Sequence, residues 1–165
     1  MSKLPRPRGR FDFRNRVVGA LLLALMAATA VPAENAARPE ALIKWRQSAF
    51  QVLAWNTARI KSALAAGHDR MEIANAAEAL AAVANAGLAD LFAAGTAQGR
   101  GWRETTAGEA VFADAAKFRA LSDEFARQAR LLATRAAGDD DGAVKEQFAR
   151  VVQACKSCHE RFRAD

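Results

Sequence analysis

The sequence predicts an all-α protein, an antiparallel up-down-up-down four-helix bundle. Its composition favours helix, because alanine is abundant, tyrosine is absent and only four prolines occur in 165 residues. Four long segments carry apolar residues at spacings of three and four, which is the period of an amphipathic helix. Two of the predicted connections are short and one has about fifteen residues, which suits consecutive antiparallel helices.

The first two predicted helices lie before the long connection. The first begins at Pro39, where a missing N–H costs nothing, and ends at Gly67. The second opens at Asp69, which forms a capping-box pattern with Glu72, and ends at Gly95-Thr96. Their inner faces would hold Leu42, Ala49/Phe50, Leu53, Ile60 and Leu64, and then Ile73, Ala77, Leu80, Ala84, Leu88 and Leu91/Phe92.

The last two predicted helices follow a glycine-rich loop over residues 95–109. The third runs from Ala110 to Ala137, and the fourth follows a turn in which Asp140 or Asp141 caps its N-terminus. The third helix would place Val111, Ala115, Phe118, Leu121, Phe125, Ala129 and Leu132 inside, and the fourth Val144, Phe148, Val151, Cys155, Cys158 and Phe162. The two cysteines therefore continue the inner stripe of the last helix.

The first 33 residues have the pattern of a secretory signal peptide. A basic stretch ends at Arg16, an apolar run of about fifteen residues follows, and Val31-Pro32-Ala33 is a small-residue cleavage site. We expect cleavage after Ala33, with Ala30 as the alternative, export to the periplasm, and a bundle domain over residues 34–165. An uncleaved membrane anchor is the other interpretation of this segment, although its apolar run is short for a span.

The net charge of +6 comes mostly from this leader. Residues 1–33 hold six of the 24 basic residues and one acid, which leaves 18 basic and 17 acidic residues in the remainder. Binding to nucleic acid needs a basic patch on the folded domain, and the composition of residues 34–165 gives no support for it.

The motif Cys155-Lys156-Ser157-Cys158-His159 holds the only two cysteines and one of the two histidines. C-x-x-C-H is the attachment signature of c-type haem, in which two thioethers form and the histidine ligates the iron. On a helix, Cys155 and Cys158 share a face, so both could bond one edge of the porphyrin while His159 lies under its centre. We therefore expect one covalent haem c with His159 as an axial iron ligand.

Three other interpretations of the motif remain. A zinc site needs four protein ligands, or three and a water. Here the two thiols and His159 lie within five consecutive residues, and His68 is the only other histidine, so zinc is less favoured. A thioredoxin-like redox pair belongs near a βαβ pattern, and no strand signal precedes this motif. A plain disulfide in a haem-free helical protein would not require the histidine.

The chain resembles the class II c-type cytochromes, the cytochrome c' (cytochrome c prime) family, in three stretches. Lys44-Trp45-Arg46-Gln47-Ser48-Ala49-Phe50 is similar to the family's first-helix motif, and Phe92-x-x-Gly95-Thr96 to its second-helix ending. Cys155 to Arg163 is similar to its C-terminal signature. The resemblance covers residues 39–165, and it departs from the family in a longer loop at 97–105 and in Phe112, where tryptophan is common.

The resemblance implies a role for each matching residue. Cys155 and Cys158 would hold the haem, and His159 would be the proximal ligand. Arg46 and Gln47 would lie near the propionates, Arg163 would line the solvent side of the proximal pocket, and Thr106 would be a further haem contact. The distal position of the first helix is occupied by Phe50.

The identity of the sixth iron ligand decides which kind of cytochrome this is. Met1 and Met26 lie in the leader, so Met71 is the one methionine left. Its place at the start of the second helix suits a packing role better than iron ligation. We expect a five-coordinate, high-spin haem with Phe50 over its distal face. The alternative is a six-coordinate, low-spin electron carrier with Met71 or another distal ligand.

These features predict an electron-transfer protein, a binder of NO or CO, or both. Catalysis such as NO reduction or peroxidation is not expected, because the sequence offers no distal acid–base pair. Redox proteins and diatomic gases would be the partners, with no nucleic acid and no membrane after cleavage. A homodimer is also predicted, since the family often pairs through its first two helices, where alanines such as Ala74, Ala77 and Ala81 could allow close approach.

Overall fold

The computed structural model describes residues 37–67 and 69–164. Four long helices make up this part: α1 (Pro39–Ala65), α2 (Arg70–Ala84), α3 (Ala115–Ala136) and α4 (Asp141–Phe162). Shorter turns of helix lie at Leu88–Leu91 and Ala110–Ala113, and the described residues contain isolated β-bridges but no strand. The predicted all-α four-helix bundle is confirmed. The predicted signal peptide and its cleavage site lie outside the described residues.

The helices pack in chain order, and the gap between the first and the last is left open. Helix α1 packs on α2, α2 on α3 and α3 on α4, whereas α1 and α4 stay apart. The main core fills the space among the four helices and includes the fully buried Ile60, Leu80, Leu132 and Val151. Ala77 and Ala81 belong to this core, so the alanine face on α2 is interior packing.

Two aspartates begin helices as the sequence predicts. The Asp69 side chain accepts the Glu72 N–H at 3.1 Å, and Asp140, rather than Asp141, accepts the Ala143 N–H at 2.9 Å. The reciprocal half of the capping box is replaced by an ion pair, since the Glu72 carboxylate accepts from Arg59 at 2.7 and 2.9 Å. Glu72 thereby ties α2 to α1.

The second helix ends earlier than predicted, at Ala84 instead of near Gly95. Asn85 is its C-cap: the Ala81 carbonyl accepts the last helical N–H, from Asn85 at 3.1 Å, and also the Asn85 side-chain amide at 2.7 Å. Gly87 then takes a left-handed conformation with φ of +78°, which only glycine adopts readily. Leu88 is buried in the same core after this turn, so the apolar period continues although the helix does not.

The third helix is also corrected, because it is broken at Asp114 rather than continuous from Ala110. Asp114 has φ of −124° and ψ of 53°, and its side chain accepts the Lys117 N–H to cap α3. The other carboxylate oxygen accepts from Arg161 at 2.6 Å. The preceding turn, Ala110–Ala113, is thereby held against the C-terminal end of α4.

Candidate functional site

A cavity of about 820 Å³ occupies the gap between α1 and α4. Its volume lies in the range of cofactor and small-molecule sites. One wall is α1, the opposite wall is α4, the floor comes from α3, and the loop over residues 103–107 closes one end. The eight site residues predicted from the sequence all line it: Arg46, Gln47, Phe50, Thr106, Cys155, Cys158, His159 and Arg163.

The α4 wall carries the two thiols and the imidazole. Cys155 packs against the main core and Cys158 against a second apolar cluster built on Val111, Phe118 and Phe162. Both thiols are half-buried and neither is in a disulfide. The structural-disulfide interpretation therefore has no support from this geometry.

Burial governs the protonation of this wall. It raises the pKa of the Cys155 thiol to about 11, with a smaller contribution from neighbouring Cys158, and it also raises the pKa of Cys158. Burial, with the positive charge of Arg163, lowers the pKa of His159. At neutral pH the wall therefore presents two neutral thiols and a neutral imidazole, whose free lone pair is what a metal ligand needs.

The α1 wall faces these groups with Phe50. This residue is 39% exposed, and its ring meets that of Phe92 edge-to-face, with the ring centroids 6.3 Å apart. Phe92 in turn contacts Phe118 at 4.7 Å, and Phe118 contacts Phe162 at 5.3 Å. This aromatic series lines the interior side of the cavity from α1 to α4 and makes it apolar.

Arg46 is a cation in this apolar setting, since only 3% of the residue is exposed. Its guanidinium donates to the Thr96 hydroxyl at 2.8 Å, to the Thr96 carbonyl at 2.7 Å and to the Thr105 hydroxyl at 2.5 Å. It also lies over the Phe92 ring, 4.6 Å from the centroid. Desolvation lowers its pKa, and no carboxylate pairs with it among the described residues.

Gln47 holds the long loop against α1. Its side-chain oxygen accepts the Trp102 N–H at 2.8 Å, and its amide donates to the Arg103 carbonyl at 2.9 Å. Gln47 therefore borders the cavity, but its polar atoms serve the loop. The resemblance implied a position near the propionates and gave no sign of these loop contacts.

The adjacent residues Thr105 and Thr106 make different contacts, which the sequence did not reveal. Thr105 bonds to Arg46, whereas the predicted contact, Thr106, lines the cavity with an exposed side chain. The Thr106 carbonyl accepts the Ala164 N–H at 2.9 Å, and the Gly108 N–H donates to the Phe162 carbonyl at 2.7 Å. Sequence analysis missed Thr96 and Thr105, because only the fold brings them to Arg46.

Met71 lies away from the cavity. It is the second residue of α2, is 71% exposed and does not line the cavity. His68 lies outside the described residues. Among residues 37–67 and 69–164, no three His, Cys, Asp or Glu side chains converge as a metal-binding group.

The cavity suits a haem in shape and in charge. Its interior is aromatic and aliphatic, two thiols and an imidazole occupy one wall, and Arg46, Lys61, Arg103 and Arg163 line it with no acidic residue. The two propionates of a haem would lie near the positive charges at the end of the cavity that the loop closes. Its two vinyl groups would react with the thiols. When bound, a haem would supply redox chemistry and diatomic-ligand binding at its iron.

Comparison with known proteins shows the family of this chain. The family model described as Cytochrome C' matches residues 41–163. The chain belongs to the cytochrome c' family. The cytochrome c' of Rhodocyclus tenuis is 45% identical over 128 residues, which is 77% of this chain and 96% of that protein. The cytochrome c' of Allochromatium vinosum is 35% identical over 126 residues, 76% of this chain and 82% of that protein.

Solved cytochrome c' structures share the fold. That of Thermochromatium tepidum superposes with a TM-score of 0.75 at 35% identity, over 78% of this chain and 98% of that chain. Another, described by an unusual ligand-controlled dimer dissociation, gives 0.75 at 34% identity, over 79% and 99%. The predicted resemblance is confirmed, and family membership makes this chain a c-type haem protein.

Proposed function

We propose that the chain binds one haem through thioethers to Cys155 and Cys158, with His159 as the single protein ligand of a five-coordinate, high-spin iron. One observation carries this proposal: the C-x-x-C-H residues of α4 and Phe50 of α1 line opposite walls of the same cavity. The helical spacing puts both sulfurs on one face, and burial, which lowers the pKa of His159, favours the neutral imidazole that can ligate iron. Arg46 would supply a buried positive charge for a propionate.

The distal face is apolar in this proposal. Phe50 and Phe92 supply carbon atoms there, and neither has a group that could ligate iron or donate a hydrogen bond. Met71, the sixth ligand named in the six-coordinate alternative, is disfavoured because it is exposed and does not line the cavity. Where Phe50 and Phe92 cover the iron, NO and CO are favoured over O₂, because bound O₂ gains from a hydrogen bond that neither ring can donate.

Electronic spectra of the holo-protein test this proposal. A pyridine haemochrome spectrum and a haem stain retained on a denaturing gel report thioether attachment. Ferric and ferrous spectra typical of a five-coordinate haem, with a shift on addition of CO, report an open sixth site. A ferric spectrum with methionine–iron character, or a low-spin paramagnetic resonance signal, would contradict five-coordination.

Electron transfer, gas binding or both would be the activity, without catalysis. An enzyme that reduces NO or peroxide uses distal acid–base groups, and Phe50 with Phe92 offers none. Turnover of NO or hydrogen peroxide by the purified holo-protein, at a rate well above that of a haem control, would overturn this part.

Export to the periplasm is the location we infer from the leader pattern of residues 1–33. In the described part of the chain, no helix combines the length and the hydropathy of a membrane span. The mass of the mature protein purified from the native source, compared with cleavage after Ala33 or Ala30, tests the leader.

A homodimer through α1 and α2 is the assembly we infer. Trp45 is 54% exposed and Val52 39%, seven residues apart on the outer side of α1, and this spacing is that of a helix-pairing seam. A relative is described as having a ligand-controlled dimer dissociation, so dimers occur within the family.

A further inference from the structure

The loop over residues 97–105 forms a basic surface together with Lys44, which lies beside the Trp102 ring, and Arg163, which lines the cavity that the loop closes. We call it the loop surface. Its inner side closes the cavity through Arg103 and Thr105, whereas its outer side takes no part in the proposed haem binding.

The loop is held rigidly in spite of its glycines. Gln47 bonds to two of its backbone groups, and Arg46 holds its last residue, Thr105. At Gly101 the loop backbone lies directly against α1. A Cβ there would be 2.6 Å from the Gln47 side-chain oxygen and 2.8 Å from the Lys44 backbone nitrogen. A binding surface that is ordered in advance loses little entropy on association.

Trp102 projects from this rigid loop and is 67% exposed. Its indole N–H donates to the Ser48 hydroxyl at 2.9 Å, and the Lys44 ammonium lies 5.2 Å from the ring centroid. The ring is therefore oriented, with its apolar area facing outwards. Exposed tryptophan beside basic side chains is the composition that concentrates binding energy in protein interfaces.

The charge of the surface is positive and unpaired. Lys44, Arg103 and Arg163 have no acidic partner within 4.0 Å among the described residues, whereas Glu104 is paired with Arg100 at 3.5 Å. The cavity behind them contains no acid either. Arg46 and one further cation would be enough to neutralise the two haem propionates, so the outer side of the loop surface would keep a net positive charge.

We propose that the loop surface docks an acidic electron-transfer protein, with Trp102 as the apolar anchor and Lys44, Arg103 and Arg163 as the steering charges. The proposal rests on the proposed haem function, because the partner would exchange electrons at the haem edge behind Arg103 and Thr106. A second copy of this chain is disfavoured as the occupant, since two basic surfaces repel each other. An acidic protein fits the charge and the width of the surface better than a compact anion does.

Stopped-flow reduction of the ferric holo-protein by a plant-type [2Fe–2S] ferredoxin, an acidic one-electron carrier, tests the proposal. The second-order rate constant of the wild type should fall steeply between about 10 and 500 mM ionic strength, over which the screening length shrinks from about 30 Å to a few Å. Lys44→Gln/Arg103→Gln should lower the rate about tenfold at low ionic strength and less than twofold at high, because steering supplies factors of this size.

Charge-matched controls isolate the position of the charges. Arg135→Gln/Lys145→Gln removes the same two charges from exposed sites at the far end of the bundle and should leave the rate within twofold. Trp102→Ala should lower the rate several-fold at all ionic strengths, since its contribution is apolar. Leu131→Ala, which removes an exposed apolar side chain on α3 that does not line the cavity, should not.

The outcomes separate the two proposals. Equal effects of the Lys44/Arg103 and Arg135/Lys145 pairs would overturn the docking surface, because net charge alone would then explain the salt dependence. A second result would also overturn it: Trp102→Ala leaves the ferredoxin rate unchanged but abolishes either self-association, measured by sedimentation, or co-sedimentation with phosphatidylglycerol vesicles. The surface would then serve a second copy of the chain or a membrane. The haem spectra of the same variants report the proposed function independently, so its failure appears there.

Discussion

The Arg46 guanidinium bonds twice to Thr96, through Nη1 to the side-chain hydroxyl at 2.8 Å and through Nη2 to the backbone carbonyl at 2.7 Å. Both residues are buried, and they are 50 positions apart in the chain. The pair joins α1 to the start of the long loop without a carboxylate. The planar fork of arginine is what allows two parallel bonds to one residue.

Arg46→Lys should destabilise the protein by about 2–3 kcal/mol, because an ammonium keeps the charge but leaves buried acceptors unpaired. Thr96→Val should cost about 1–2 kcal/mol, since it removes the hydroxyl that accepts from Arg46 and donates to the Ala93 carbonyl at 2.8 Å. Denaturant unfolding of both variants and of the double variant measures the coupling. Additive losses would show that the two side chains do not interact.

Phe50→Ala should raise the CO association rate about tenfold, which corresponds to a barrier about 1.4 kcal/mol lower once the ring no longer covers the iron. Flash photolysis of the ferrous CO complex measures it. Val52→Ala, on the outer side of the same helix, should leave the rate unchanged. Equal rates for wild type and Phe50→Ala would show that Phe50 does not cover the distal face.

Cys155→Ala and Cys158→Ala should each keep a haem stain on a denaturing gel, because one thioether survives, and the double variant should lose it. Each single variant should shift the α band of the pyridine haemochrome towards that of a haem with one free vinyl group. A stain that persists in the double variant would contradict attachment at this motif.

Glu72→Gln should weaken the acid dependence of unfolding. The hydrogen bond from Arg59 lowers the pKa of the Glu72 carboxyl below its ordinary value of 4.5. A lowered folded-state pKa gives stability that is present above the unfolded pKa and is lost as pH falls through the folded one. Unfolding curves from pH 6 to pH 2 should therefore flatten below about pH 4.5 in the variant.

A control for this result is Glu78→Gln, an exposed glutamate on α2 that has no ion-pair partner among the described residues. Its acid profile should follow that of the wild type. The same flattening in both variants would assign the effect to net charge instead of to the Arg59 pair.

Trp45→Glu should dissociate the proposed homodimer. A tryptophan at the centre of an interface contributes about 2 kcal/mol or more, so the dissociation constant should rise about 30-fold. Analytical ultracentrifugation of the holo-protein measures it. Ala149→Glu, at an exposed position of α4, is the control, and dimers equally stable in both variants would place the interface elsewhere.

The sequence alone determined the bundle and the chemical groups of the site. Helical periodicity was enough for the inner stripe from Val144 to Phe162, because a helix repeats its contacts locally and carries Cys155 and Cys158 inwards. The motif itself specified haem, since its five residues are contiguous and need no fold to be recognised.

Tertiary structure decided where the helices stop and which polar groups meet. The apolar period ran through Leu88 even though α2 ends at Ala84, because a turn returned that leucine to the same core and periodicity reports burial, not backbone geometry. The partners of Arg46 lie 50 and 59 residues away, a separation that no local pattern encodes. The loop surface depends likewise on the folded chain, which brings the Lys44 ammonium to 5.2 Å from the Trp102 ring centroid and places Arg103 and Arg163 on the same cavity.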